Sequence, residues 1–337
     1  MNTNILQPSH LLLFSPNWLG DVVMALPAYQ QWRAAFPAAR VTVLAKPAVA
    51  PLWPYAGGVE TVITLCPGRR GMREAVQAMR AARCDAALLL PHSFRAGWLA
   101  WRAGPARRRG TAGQGRRLLV NDPVSLAAFS DRHQQFENFH LFGLAPASPP
   151  APPRLTFPDD LLKSIAVRFQ LTAGERHVAI LPGAARGESK RWPADRFAAA
   201  ARGVAQRHSD VRFLVCGTAA EAADCEAVAR ELGPASRNLA GQTRLPELAA
   251  LLAQCAAVCC NDSGGMHLAS AVGAPVVAVF GLTDPAKTGP LGRARVVAAT
   301  GVRVARAIPR VSPEAVRALA SIDPDRVTAA LLEVMPS

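Results

Sequence analysis

Short apolar runs alternate with amphipathic stretches along nearly all of the chain, and the alternation is broken once, by a cluster of prolines. Residues 10–15, 41–45, 59–65 and 86–90 read as buried strands. Residues 21–36 and 72–83 read as helices. This β-α-β-α rhythm predicts a parallel sheet covered by helices on both faces. Segment 144–158 then crowds Pro146, Pro149, Pro150, Pro152, Pro153 and Pro158 together. Proline gives no donor to a sheet ladder and resists helix, so this stretch predicts an extended linker. The rhythm restarts after it, with strands expected at 177–181, 211–216, 257–260 and 275–280. Helices are expected at 194–207, 221–232, 245–254 and 266–272. A last helix opens with Asp323 as N-cap and Pro324 in its first turn. The expected organisation is α/β, with two doubly wound, Rossmann-like domains at 1–150 and 161–322, a linker at 151–160 and a closing helix at 323–337. Two such domains are expected to face each other across a cleft, with ligands beyond the carboxyl ends of the strands.

Charge narrows the partners. The 337 residues carry a formal net charge of +14, which favours nucleic acid, anionic headgroups or phosphorylated glycans without choosing among them. Nearly all of the positive charge is arginine, and lysine occurs only at Lys46, Lys163, Lys190 and Lys287. The seven cysteines make no CxxC pair and no zinc spacing, and Cys216, Cys259 and Cys260 sit in apolar runs as small core residues. No metal site is expected, and this cysteine usage suits a reducing compartment. Residues 1–9 lack the basic start of a signal peptide, and no run of about 20 apolar residues is free of charge and breakers. A cytoplasmic protein is expected, with room for contact at a membrane surface.

Four strand-end motifs carry candidate chemistry. In Ser15-Pro16-Asn17-Trp18-Leu19-Gly20-Asp21, the Asp21 carboxylate is either an N-cap or a general base for an incoming hydroxyl. In the loop from Pro182 to Pro193, Gly183 and Gly187 permit close backbone approach. Lys190 there is either a solvated surface charge or a phosphate contact. In Cys260-Asn261-Asp262-Ser263-Gly264-Gly265-Met266-His267, a strand ends, two glycines follow and a helix starts, which is an arrangement suited to a diphosphate. His267 reads equally as a packing residue. Gly281-Leu282-Thr283-Asp284-Pro285 is either a fourth polar strand end or an ordinary Asp-Pro turn. Separately, Arg95, Arg102, Arg107, Arg108, Arg109, Arg116 and Arg117 form a basic run holding Trp98 and Trp101. It reads as a solvated face, or as a contact for acceptor phosphates or anionic lipid. No nucleic-acid-binding motif accompanies it, so nucleic acid is not an expected partner.

Taken in order, these motifs resemble glycosyltransferase family 9, the ADP-heptose:lipopolysaccharide heptosyltransferases. The resemblance rests on Asn17 to Ala25, Pro182 to Pro193, Asn261 to His267, Gly281 to Pro285 and Ser321 to Val327. It implies a GT-B fold with the acceptor domain first and the nucleotide-sugar domain second. It also implies inverting transfer without metal or cofactor, from ADP-heptose to a phosphorylated inner-core acceptor of lipopolysaccharide. On that basis Asp21 matches the base, and Lys190 a contact to the donor phosphates. Asp262, Ser263, Gly264, Gly265 and His267 match donor contacts, with Gly183, Thr283 and Asp284 beside them. Glu221 and Thr243 fall near positions that touch ribose and adenine. Asn17, Arg95, Arg107, Arg108 and Arg109 are acceptor-side candidates. The basic run and residues 291–311 match no part of the family pattern. An epimerase or hydrolase on the same scaffold, and a basic binding module without catalysis, are the rival readings.

Overall fold

The structure, a computed structural model, describes residues 5–147, 149–301 and 308–336. The first four residues of the polar start, and residues 302–307 of the stretch 291–311, lie outside the described residues. The chain divides into two compact units, Met1–Thr156 and Phe157–Ser337.

The first unit runs β1 (His10–Phe14), α1 (Leu19–Ala35), β2 (Arg40–Ala45), β3 (Thr61–Thr64), α2 (Gly68–Ala81), β4 (Ala86–Leu89), α3 (Phe94–Ala103), β5 (Arg107–Gly110), β6 (Asp122–Pro123) and α4 (Gln135–Phe142). Its strands are parallel in the order β3-β2-β1-β4-β5-β6. The second unit runs α5 (Asp159–Arg168), β7 (Arg176–Leu181), α6 (Ala194–Ala205), β8 (Val211–Val215), α7 (Ala222–Leu232), β9 (Ser236–Asn238), α8 (Leu245–Leu252), β10 (Ala257–Asn261), α9 (Gly264–Ala271), β11 (Val276–Phe280), α10 (Pro285–Thr288), β12 (Ala294–Ala298), α11 (Pro313–Ala320) and α12 (Pro324–Val334). The order β12-β11-β10-β7-β8-β9 repeats the topology of the first sheet. In each sheet the order reverses between its first and fourth strands. There the crossovers leave in opposite directions and a crevice opens at the carboxyl ends.

The central strands are continuous apolar runs because both of their faces are covered. Every residue of β1, β4, β10 and β11 is buried. Burial also explains the cysteines: Cys216, Cys259 and Cys260 are buried, and desolvation pushes the Cys259 thiol up to about 12, so it stays protonated. Asp323 caps α12 as expected, accepting from the Asp325 amide at 3.0 Å.

Two expectations are corrected. Asp21 is not an N-cap. Helix α1 begins two residues earlier, at Leu19, and Trp18 holds the cap position without a side-chain bond. The basic run is not one solvated face. Arg107, Arg108 and Arg109 form β5, pairing with Ala86, Ala87 and Leu88 of β4. Arg107 Nε bonds Asp122 Oδ2 at 2.7 Å, and Arg108 donates to the carbonyls of Leu119 and Pro105, both at 2.8 Å. Arg109 and Arg116 are buried, and desolvation lowers the Arg116 guanidinium to about 10. Only Arg95, Arg102 and Arg117 of this run are exposed.

Candidate active site

Each unit carries polar groups at the point where its strand order reverses. In the first unit, β1 ends at Phe14 and the chain turns through Ser15, which is buried and accepts from Trp53 Nε1 at 2.9 Å. That bond fixes the turn from which Asn17, Trp18 and Asp21 project. Asp21 stands in the first turn of α1, where the positive end of the helix favours a carboxylate. Its Oδ1 accepts from Gln134 Nε2 at 3.1 Å. A cavity of about 230 Å³ opens beside it. Asn17, Trp18 and Asp21 form one wall of the cavity. Leu90 to Ser93, after β4, form a second wall, and Gln134, Glu137 and Asn138 of α4 a third. Among the described residues the lining holds the carboxylates of Asp21 and Glu137, the amides of Asn17, Gln134 and Asn138, the His92 imidazole and the Ser93 hydroxyl, and no lysine or arginine. Such a lining suits the hydroxyls of a sugar better than a phosphate.

Gln134 and Glu137 are functional candidates that the sequence reading missed, because α4 was not assigned. Its signal is the three-residue spacing of Phe136, Phe139 and Phe142, closed by Gly143 at φ 75°. The arginines proposed for the acceptor lie outside this cavity. Arg95 is exposed at the start of α3, while Arg107, Arg108 and Arg109 are engaged along β5. Buried Arg116 holds the second cavity wall in place, donating to Pro91 O at 2.7 Å and Ser93 O at 3.4 Å.

In the second unit the reversal lies between β7 and β10. Residues 182–193 leave β7, and their two ends are held by one side chain. Asn261, fully buried, donates from Nδ2 to Pro182 O at 2.7 Å and accepts the Trp192 amide on Oδ1 at 2.9 Å. Lys190 sits in a short 3₁₀ turn, Glu188–Lys190. Its Nζ meets Asp262 Oδ2 at 2.5 Å, and Thr283 Oγ1 donates to the same oxygen at 2.6 Å. Lys190 and Asp262 side chains are only 13% and 8% exposed, so this is a sequestered pair and not a solvated surface charge. Ser263 holds the N-cap position of α9 without a side-chain cap bond, followed by Gly264 and Gly265 in the first turn. Helix geometry gives first-turn amides no acceptor within the helix, so they point to an anion site.

The remaining candidates divide. Gly183 lies against Glu221: a Cβ on Gly183 would fall 2.0 Å from Glu221 Oε1, so a larger residue there would push the Glu221 side chain aside. Glu221 Oε2 accepts the Thr218 amide at 2.8 Å and hydroxyl at 2.9 Å, which fixes the carboxylate. His267 is buried in α9. Asp284 caps α10 by accepting the Ala286 amide at 2.9 Å, the ordinary Asp-Pro turn. Thr243 lies just before α8 and is half-buried. Lys190, Asp262 and Thr283 are therefore joined directly, with the α9 start next to them in the chain. Among the described residues no group of three or more His, Cys, Asp or Glu side chains is placed to hold a metal ion.

The comparisons with known proteins agree on one family. The profile of glycosyltransferase family 9 (heptosyltransferase) matches residues 72–307. Lipooligosaccharide heptosyltransferase 2 of Haemophilus ducreyi is 31% identical over 310 residues, covering 85% of this chain and 87% of that protein. Lipopolysaccharide heptosyltransferase 2 of Escherichia coli is 29% identical over 303 residues, with 85% and 87% covered. The solved structure of E. coli ADP-heptose lps heptosyltransferase II superposes with a TM-score of 0.82 at 27% identity, covering 96% of this chain and 98% of that one. With two parallel sheets of matching order, the fold class is GT-B, built from two Rossmann-like domains.

Proposed function

Because the chain belongs to glycosyltransferase family 9, the heptosyltransferases, we propose that it transfers a heptose from ADP-L-glycero-D-manno-heptose to the inner core of lipopolysaccharide, with inversion and without metal. The observation that carries the reading is the position of Asp21: a carboxylate at the first sheet's reversal point, held by Gln134 and lining a cavity whose walls suit hydroxyl groups. The acceptor hydroxyl oxygen attacks the anomeric carbon of the donor as the bond from that carbon to the phosphate oxygen breaks. Asp21 takes the hydroxyl proton and ADP leaves with the bonding pair.

Lys190 and the start of α9 supply positive charge for the leaving diphosphate. The Lys190 ammonium has three donors. Asp262 engages one and aims the others, while Thr283 fixes Asp262. Preorganised donors of this kind stabilise charge that develops in the transition state. Glu221, beside Gly183, would meet the ribose hydroxyls on this reading. The enzyme would act at the cytoplasmic face of the membrane that holds its acceptor. No helix among the described residues is long and apolar enough to cross that membrane.

The test is transfer from ADP-heptose to a purified inner-core acceptor with EDTA present, alongside calorimetric titration with ADP. Asp21→Asn should lose turnover while binding ADP as before. An Asp21→Asn enzyme with ordinary turnover, or activity restored only by divalent metal, would overturn the reading.

A further inference from the structure

The first unit carries an exposed apolar and basic surface that the proposed chemistry does not use. Phe94 and Trp101 stand at i and i+7 of α3 on one stripe of the helix, with partly buried Trp98 between them packed against the core. Phe94 is 52% exposed and Trp101 50% exposed, while Ala96, Gly97, Leu99, Ala100 and Ala103 hold the opposite side in the core. Residues 115–119 pack along the same helix: a Cβ on Gly97 would lie 3.2 Å from the Arg116 side chain and 3.3 Å from that of Leu119. From this segment Leu118 is 92% exposed.

Arginines flank the stripe. Arg95 and Arg102 form the neighbouring row of α3, and both are exposed, as is Arg117. Helix α2 adds exposed Arg69, Arg73 and Arg80, with Arg80 donating to Arg102 O at 2.8 Å. Between Asp85 and Asp122 the chain has seven arginines and no acidic residue.

We infer that α3 and residues 115–119 form an interfacial anchor for an anionic phospholipid surface. Large apolar side chains facing water are costly for a soluble face unless something covers them. Aromatic rings beside arginines match the boundary between acyl chains and negative headgroups. A second copy of the chain fits poorly, because it would set arginine against arginine. Nucleic acid can stack on aromatics, but an almost fully exposed Leu118 gives it nothing to stack on. The anchor adjoins the cavity: Ser93 lines the cavity and is the N-cap of α3, and Phe94 is the next residue. Docking there would hold the cavity mouth at the height of a lipid-borne acceptor. That consequence rests on the proposed function, whereas the docking itself does not.

The test is flotation of the full chain with vesicles of phosphatidylglycerol or of phosphatidylcholine. Wild type should float with phosphatidylglycerol. The triple variant Phe94→Ser, Trp101→Ser, Leu118→Ser should lose about tenfold or more of its partitioning. The triple variant Arg95→Gln, Arg102→Gln, Arg117→Gln should lose the preference for phosphatidylglycerol. Both variants should bind ADP and melt as wild type does, which separates lost docking from lost folding. Transfer to a soluble acceptor should be unchanged in both. Wild type that ignores phosphatidylglycerol, an aromatic variant that floats equally well, or retention on single-stranded DNA in place of vesicles each overturns the anchor. Vesicle binding without any heptosyl transfer would leave the anchor standing and remove the proposed function.

Discussion

Gln134 donates its side-chain amide to the Asp21 carboxylate, Nε2 to Oδ1 at 3.1 Å, across 113 residues of chain. Gln134 occupies the N-cap position of α4 yet makes no side-chain cap bond. Its amide reaches across to α1 instead. Neighbouring Asn138 donates to Met24 O at 3.2 Å, so two side chains from α4 pin the first turns of α1. The carboxylate is oriented by a group that lies outside its own loop.

If Asp21 is the base, Asp21→Asn should lower kcat by about 10²–10⁴-fold with ADP affinity intact. Gln134→Ala should lower kcat by about tenfold, the worth of one hydrogen bond to a charged group, and leave the donor KM unchanged. Steady-state kinetics with ADP-heptose and the inner-core acceptor separate the two parameters. A rise in donor KM with kcat unaltered would show that Gln134 has no part in orienting Asp21.

Lys190, Asp262 and Thr283 act as one unit, and their variants should differ in kind. Lys190→Ala removes the proposed diphosphate donor and should weaken ADP binding about tenfold or more. Asp262→Ala leaves the sequestered ammonium without its partner and should cost about 3–5 kcal/mol of stability as well. Thr283→Val loses one bond and should cost about 1 kcal/mol. Denaturant unfolding paired with ADP titration in EDTA measures both quantities. Undiminished ADP affinity in Lys190→Ala would place the diphosphate elsewhere.

Asn261 bonds both ends of the loop that carries Lys190. Asn261→Ala leaves the Trp192 amide and Pro182 carbonyl unpaired in a buried place, at about 1–3 kcal/mol for each group left unsatisfied. Amide exchange should rise through residues 182–193 and stay low in β7 and β10. Uniform protection across the unit would mean that the loop is held by other contacts.

How much of this was legible in the sequence depended on whether the cause was local. The loops after β7, β10 and β11 could be placed because Pro182-Gly183, Gly264-Gly265 and Gly281 punctuate apolar runs, and punctuation is a property of neighbouring residues. The direct joining of Lys190, Asp262 and Thr283 follows from strands that the topology sets side by side, with β10 between β7 and β11. Strand β5 was hidden, since three consecutive arginines read as solvated until the β4 pairing and the Asp122 carboxylate are in place. The cap alternative for Asp21 stayed open in the sequence because Leu19 and Gly20 extend α1 backwards without any capping side chain to announce it. The Gln134 bond leaves no mark in the sequence: its partner lies on another element, 113 residues away, with no local pattern linking the two.

Three histidines make stability fall on the acid side of neutrality. Burial lowers the pKa of His177, and nearby Arg237 and Arg212 lower it further against the opposing pull of Glu175. Burial likewise lowers His10, whose Nε2 lies 2.9 Å from Thr42 Oγ1, and His140 beside Arg109. In the unfolded chain each titrates near the ordinary value of about 6.5. As pH falls below that value the unfolded state takes up protons first, so stability falls with pH. The contribution is fully present above about 6.5 and is lost progressively as pH drops through the folded values. The melting temperature should therefore decline between about pH 7 and pH 5, and His177→Gln should flatten that decline. Calorimetric melts of both proteins across the range measure it. A wild-type Tm that stays level while carboxylates remain ionised would mean that the charged imidazoles find acceptor or anionic partners in the fold, contrary to the direction of all three shifts.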